Sequence, residues 1–234
     1  MDPDIQAQLD RAKELMQELR NACMVDLQTN NISGRTKNLT QEVLLKMKHL
    51  LDQVIRKFLV KAYPGSIKNS SNVYFPIVSD RKSLGCLGNV KMSTIMIDYP
   101  DFYQFIDSVQ PYNSDYLWLQ HLGNCSKDKH IQLTPQTIKE ENETNILGCF
   151  YVGGNDEGAN VSMDGFINGI PVNSKDISAE PLENFDPRLG VQRITWSSFV
   201  FSGTDINILQ LCEKSIVDGE KIIRNILEFV ENPT

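Results

Sequence analysis

Three long stretches of this 234-residue chain repeat apolar residues at alternating steps of three and four. That spacing places the apolar side chains on one face of an α-helix. The first stretch spans residues 3–29, and its apolar stripe consists of Ile5, Leu9, Ala12, Met16, Leu19 and Cys23. Such a narrow seam is typical of helices that pack in the coiled-coil manner, either on another helix or on a second copy of the chain.

The other two stretches predict helices that pack on the first. One begins near Thr40, whose hydroxyl suits an N-cap, and its apolar residues cover more than one side, which predicts more than one neighbour. The other begins at Thr204, near the end of the chain, and carries Gly219 on its apolar stripe. A glycine inside a helix costs about 1 kcal/mol relative to alanine, so we expect another part of the chain to approach Gly219 closely.

The middle of the chain mixes short helices with β-strands. Residues 73–78 form a short extended run, Pro100 opens a short helix, and Ser114 caps another that ends at Gly123. From about residue 131 the pattern favours strands, with Asn168-Gly169 as a strong hairpin signal. We therefore predict an α+β fold: a long-helix bundle from both termini, short helices, and a small antiparallel β-sheet of about four strands.

The order of these elements predicts three regions within one compact domain. Residues 1–135 form a helical region with short helices, and residues 136–203 form the antiparallel β region. Residues 204–234 form a C-terminal helix that packs back on the N-terminal helices.

Composition indicates a cytoplasmic protein. The acidic start at residues 1–4 predicts no secretory signal, and no apolar run approaches the length of a membrane span. The five cysteines lie far apart without a Cys-x-x-Cys, as is typical of a reducing cytosol. The formal net charge is −7, whereas nucleic-acid binding normally needs a basic surface. We interpret the basic residues of the second helix as a solvated face; they are Lys46, Lys48, Arg56, Lys57 and Lys61.

Residues 118–130, WLQHLGNCSKDKH, form the densest cluster of chemically active side chains, and three hypotheses compete for it. A metal site would use His121, Cys125 and His130, but no second pair of ligands is visible, so we expect no metal. A catalytic site would use Asn124, Lys127, Asp128 and His130, with the histidine titrating near neutral pH. In the structural hypothesis, which we favour, Asn124 and Asp128 hydrogen-bond the loop backbone at the junction with the β region, His130 ties the loop to the helices, and the lysines are solvated.

The chain resembles a set of uncharacterised bacterial proteins over residues 40–135. The motifs that carry the resemblance are Leu50-Leu51-Asp52, Phe75-Pro76-Ile77, Gln110-Pro111-Tyr112 and the residues from Asn124 to His130. The first two helices also resemble HEPN domains, helical modules of bacterial toxin and defence systems. The HEPN ribonuclease motif is an Arg followed four to six residues later by His, and this chain has no Arg between residues 81 and 188.

Two functions follow from these observations as expectations. The first is a non-enzymatic cytoplasmic bacterial interaction module that forms a homodimer through its helices and that binds no cofactor, no nucleic acid and no membrane; a different protein partner is also compatible with it. The alternative, which the HEPN resemblance implies, is a metal-independent nuclease or nucleotide-handling enzyme centred on His130.

Overall fold

The computed structural model describes residues 2–29, 31–67, 73–125, 135–146, 150–153, 163–167, 170–174, 184–201 and 206–232. The fold is α+β and dominated by helices, as the sequence predicts. The chain divides into two compact units: residues Met1–Gln136 with Phe201–Thr234, and residues Thr137–Val200.

The first unit is built on a bundle of three long helices. They are α1 (Pro3–Thr29), α2 (Gly34–Ala62) and α6 (Ile208–Glu231). Lys13 pairs with Glu220 at 2.8 Å and Arg20 pairs with Glu213 at 2.9 Å, so α1 and α6 run antiparallel. Because α1 is also antiparallel to α2, the two helices α2 and α6 run in the same direction. The C-terminal helix therefore packs back on the N-terminal pair.

The second helix begins earlier than the sequence predicts. It starts at Gly34, and its N-cap is Ser33, whose Oγ accepts a hydrogen bond from the Thr36 N–H at 3.2 Å. Buried Asp26 at the end of α1 in turn accepts hydrogen bonds from the Ser33 N–H and hydroxyl, at 2.8 and 3.0 Å. Thr40 lies inside the helix and donates its hydroxyl to the Thr36 carbonyl. Serine and threonine are both good N-caps, and the hydrogen bonds between Ser33 and Asp26 select the earlier position, with Gly34 as the first helical residue.

The last helix begins later than predicted. Asn207 is its N-cap, with Oδ1 accepting a hydrogen bond from the Gln210 N–H at 3.1 Å, and the helix starts at Ile208. Thr204, the predicted cap, lies outside the described residues. Asparagine and threonine are both good N-caps, so residue preference alone does not choose between them.

Gly219 is approached closely, as the sequence predicts. A Cβ atom on this residue would lie 2.7 Å from Cε of Met47 on α2 and 3.9 Å from Cη2 of Trp118. Met47 is fully buried, so its side chain has little room to move.

We expect Gly219→Leu to lower the free energy of unfolding by about 1–3 kcal/mol, because the added side chain overpacks the contact with Met47. Urea denaturation measures this loss. The matched control is Gly34→Leu, since a Cβ on Gly34 meets nothing within 4 Å. Equal effects of the two substitutions would contradict the close packing of α2 on α6.

The described part of the first unit also contains three short α-helices: α3 (Met92–Asp98), α4 (Pro100–Ser108) and α5 (Leu119–Cys125). Pro100 occupies the first turn of α4, as predicted. The prediction that Gly123 ends a helix is wrong, because α5 continues to Cys125. Helix α2 contacts α1, α5 and α6, which confirms that it has more than one neighbour.

Aromatic rings join the short helices to the bundle. Phe58 of α2 stacks on Phe102 of α4, with ring centroids 3.6 Å apart. Phe58 also meets Tyr99 edge-on at 5.5 Å, and Phe102 meets Phe229 of α6 edge-on at 5.4 Å. Three helices therefore meet at this aromatic cluster, where Phe58 and Phe102 are buried.

The described strands form three small sheets rather than the single sheet that the sequence predicts. In the first unit, β1 (Cys86–Leu87) and β2 (Val90–Lys91) make a hairpin around Gly88, which has a φ of +54°. A second sheet has the order β4–β3–β7, formed by β3 (Pro135–Ile146), β4 (Phe150–Gly153) and β7 (Gln192–Phe201). The apolar run at residues 145–152 is therefore divided between two antiparallel strands, in which Ile146 pairs with Phe150.

The predicted Asn-Gly hairpin corresponds to two antiparallel strands, β5 (Met163–Ile167) and β6 (Ile170–Ser174). Residues 168 and 169 themselves lie outside the described residues. A small apolar cluster accompanies this hairpin within the second unit; it consists of Ile167, Ile170, Val172, Phe185 and Leu189. The hairpin signal and the alternation of apolar residues together explain why this element was predicted correctly.

The long helices are amphipathic rather than uniformly apolar. Among the described helices, none has the combination of length and apolar character that crossing a membrane requires.

Candidate functional site

The first unit contains an open groove of about 850 Å³, formed by residues of α2 and α6 together with Asp2 and Pro64. We call it the α2–α6 groove. Its apolar lining residues are Val60 and Pro64, at the end of α2, and Leu227 and Val230, on α6. Val60 is 50% exposed, whereas Leu59 beside it is completely buried. The groove thus leaves apolar surface open to solvent at the C-terminal ends of two parallel helices.

Charged side chains of both signs surround this apolar lining. Arg56, Lys57 and Lys61 project from α2, and Asp2 and Glu231 line the groove from the start of the chain and from α6. The Lys57 ammonium pairs with the Asp2 carboxylate at 2.6 Å, and this hydrogen bond lowers the pKa of Asp2. The sequence alone predicts that these basic residues belong to a solvated helix face. Only the bundle brings them next to exposed apolar residues.

The cluster at residues 118–130 is only partly described. Asn124 lies on α5, within the last turn of that helix, and Lys127, Asp128 and His130 lie outside the described residues. The catalytic and metal hypotheses for this cluster therefore stay predictions. His121 is half-buried on α5, and burial lowers the pKa of its imidazole.

Asp52, from the first motif of the resemblance, connects α2 to residues 73–78. Its Oδ1 accepts a hydrogen bond from the Phe75 N–H at 2.7 Å and also pairs with the Lys48 ammonium. Lys48 is only 5% exposed, and its Nζ lies 5.3 Å from the centre of the Tyr74 ring, within cation–π range. A buried ammonium is therefore held by one carboxylate and one aromatic face.

Gln110, from the third motif, also binds residues 73–78, and it follows them in the chain. Its side chain is fully buried, with Oε1 accepting a hydrogen bond from the Val78 N–H at 3.2 Å. Its Nε2 donates to the Ile106 carbonyl at 2.9 Å. Asp52 and Gln110 together satisfy two backbone N–H groups of a segment that has no regular secondary structure.

Asp107, three residues before Gln110, is the centre of a third set of polar contacts. It accepts hydrogen bonds from Arg81 Nε at 2.8 Å and from the Tyr112 hydroxyl at 2.5 Å. Burial raises the pKa of the Asp107 carboxyl, but the hydrogen bonds from Arg81 and Tyr112 outweigh it and hold that pKa below its usual value. Burial, and then the hydrogen bond to Asp107, raises the pKa of Tyr112 to about 12. Arg81, Asp107 and Tyr112 therefore form a hydrogen-bonded network, and its role is structural.

A smaller pocket of about 270 Å³ lies between residues 74–78 and 83–88. Its lining includes Cys86, an exposed free thiol, and Ser83. The Ser83 hydroxyl donates to Asp80 at 2.7 Å, in the cap of a short 3-10 helix. The Ser83 side chain is therefore engaged in the cap of this short helix.

The motif residues make polar contacts in this chain. Asp52 and Gln110 accept hydrogen bonds from the Phe75 N–H and the Val78 N–H, between α2 and α4, and Tyr112 donates to Asp107 on α4. Sequence reasoning identified these motifs but not their contacts. A signal was present for Gln110, a polar residue that lies between Val109 and Pro111.

Among the described residues, no group of three or more His, Cys, Asp or Glu side chains is placed to hold a metal ion. Comparison of the chain with protein-family models, with curated proteins and with solved structures found no match.

Proposed function

We propose that this protein is a non-enzymatic interaction module that binds another polypeptide chain through its helical bundle. The observation that carries the proposal is the α2–α6 groove. Its lining combines apolar side chains, of which Val60 and Pro64 are exposed, with charged groups of both signs. Exposed apolar surface rimmed by polar residues is typical of protein interfaces.

We also propose that the module forms a homodimer. The sequence suggests a dimer because α2 is apolar on more than one side, and the structure changes that argument. Helices α1, α5 and α6 pack on α2 and cover those sides within the chain. The apolar surface that supports a dimer is instead the groove, with Val60 half exposed.

Sedimentation equilibrium at micromolar concentration tests this proposal. We expect the mass of a dimer, twice the 26.5 kDa of one chain. A strict monomer at these concentrations would contradict self-association. A parallel assay for cleavage of RNA tests the nuclease alternative: cleavage that disappears in His130→Ala, with an unchanged melting temperature, would contradict a non-enzymatic role.

The proposed location is the bacterial cytoplasm. Cys23 and Cys86 are free thiols in the structure, and Cys86 is exposed. Free, exposed thiols are typical of proteins kept in a reducing compartment. The bacterial origin rests on the resemblance over residues 40–135.

A further inference from the structure

We propose that the occupant of the α2–α6 groove is a second copy of this chain, docked through the same groove about a twofold axis. This inference rests on the proposed function and adds the twofold arrangement of the dimer and the residue pairs that meet across it. In such an interface each residue of the patch on one protomer meets the patch of its partner, so the patch must complement itself.

The apolar lining meets the first requirement of a self-complementary patch. Val60 is 50% exposed on the surface of α2, with Pro64 one turn further along the chain. On the α6 side of the groove, Leu227 is already buried and Val230 is partly exposed. Docking of two such surfaces removes apolar side chains from water on both protomers, which is the main favourable term in association.

The charges meet the second requirement. The groove carries three basic and two acidic side chains, so neither sign dominates. Lys57 and Asp2 already pair within one chain. Lys61 and Glu231 are exposed and have no ion-pair partner within the described part of the chain. About a twofold axis, Lys61 of one protomer can pair with Glu231 of its partner, and the same pair forms a second time.

This balance of charge also selects the class of partner. A nucleic acid or a strongly acidic peptide placed in the groove would meet Asp2 and Glu231. Like charges brought together at an interface oppose binding, so these carboxylates disfavour such partners. A second copy of the chain supplies both signs at once.

The first test places a charge on the apolar lining. We expect Val60→Glu to raise the dimer dissociation constant by roughly 100-fold or more, because each protomer would bury a carboxylate against the other. The matched control is Val217→Glu, since Val217 is 49% exposed on α6 and does not line the groove. Circular dichroism melts establish that both variants fold. We expect the control to dimerise like the unmodified protein.

The second test exchanges charges across the proposed interface. We expect Lys61→Glu alone and Glu231→Lys alone each to raise the dissociation constant by about tenfold, because like charges then face each other. The double variant restores both pairs and should bring the constant back to within about twofold of the unmodified value. Recovery in the double variant is a result that disrupted folding cannot produce.

The outcomes separate this inference from the function on which it rests. If neither Val60→Glu nor the charge exchange changes the dimer dissociation constant, the groove is not the interface. Self-association would then still stand. A monomeric unmodified protein would overturn both. Loss of the dimer in Val60→Glu, retention in Val217→Glu and recovery in the exchanged pair together support the inference.

Discussion

Asp52→Ala is expected to lower the free energy of unfolding by about 3–5 kcal/mol, the usual cost of removing one partner from a buried ion pair. The Lys48 ammonium, in a side chain that is 6% exposed, would lose its counter-charge. The Phe75 N–H would also lose its acceptor, and an unmet buried donor costs about 1–3 kcal/mol. Urea denaturation of the purified variant measures the combined loss.

Two further variants identify the cause of that loss. Adding Lys48→Met to Asp52→Ala removes the stranded charge, so we expect the double variant to be more stable than Asp52→Ala alone by about 2 kcal/mol. Glu42→Ala, at an exposed position on the same helix, should change stability by less than about 0.5 kcal/mol. If Asp52→Ala has as small an effect as Glu42→Ala, the pair is not buried as the structure describes.

Phe58→Ala is the second substitution with a large expected effect. The side chain is 1% exposed, stacks on Phe102 and meets Tyr99 edge-on. Truncation would leave a cavity where α2 and α4 meet, and we expect the free energy of unfolding to fall by about 3–5 kcal/mol. The change in melting temperature of the variant provides an independent measurement.

A control of the same residue type lies at the edge of this aromatic cluster. Phe105 on α4 is half exposed, and its ring centroid lies 6.0 Å from that of Phe229. Because it buries less surface, Phe105→Ala should cost markedly less than Phe58→Ala. A larger loss of stability in Phe105→Ala than in Phe58→Ala would show that Phe58 is not at the centre of the cluster.

Both substitutions act on contacts that fix the short-helix region to the bundle. Asp52 holds residues 73–78 through the Phe75 N–H, and Phe58 holds α4 through Phe102. The motif residues behind the resemblance are therefore used in this chain for packing and backbone hydrogen bonds.

The candidate site was the least predictable part of the molecule. The sequence directs attention to residues 118–130, where reactive residue types are neighbours in the chain. The α2–α6 groove instead combines Asp2, residues 56–64 and residues 227–231, which only the bundle brings together. Its basic residues were visible in the sequence, but the exposure of Val60 between them was not.

The sequence by itself determined the features that depend on local physics. The three- and four-residue spacing predicted α1 over all of its length, Pro100 predicted the start of α4, and Asn168-Gly169 predicted the pairing of β5 with β6. Gly219 predicted a close helix contact, because a helix rarely keeps a costly glycine without one. Each of these features follows from backbone preferences within a few residues.

Only the tertiary structure decided the features that depend on distant neighbours. Helix α2 starts at Gly34 because Asp26 of α1 holds the Ser33 cap, and Lys48 is buried because Asp52 and Tyr74 surround it. Burial and the hydrogen bonds of polar groups are properties of the packed chain, since their free energy depends on which groups the fold brings within about 3 Å of one another. The same is true of the groove, which exists only where the ends of α2 and α6 lie side by side.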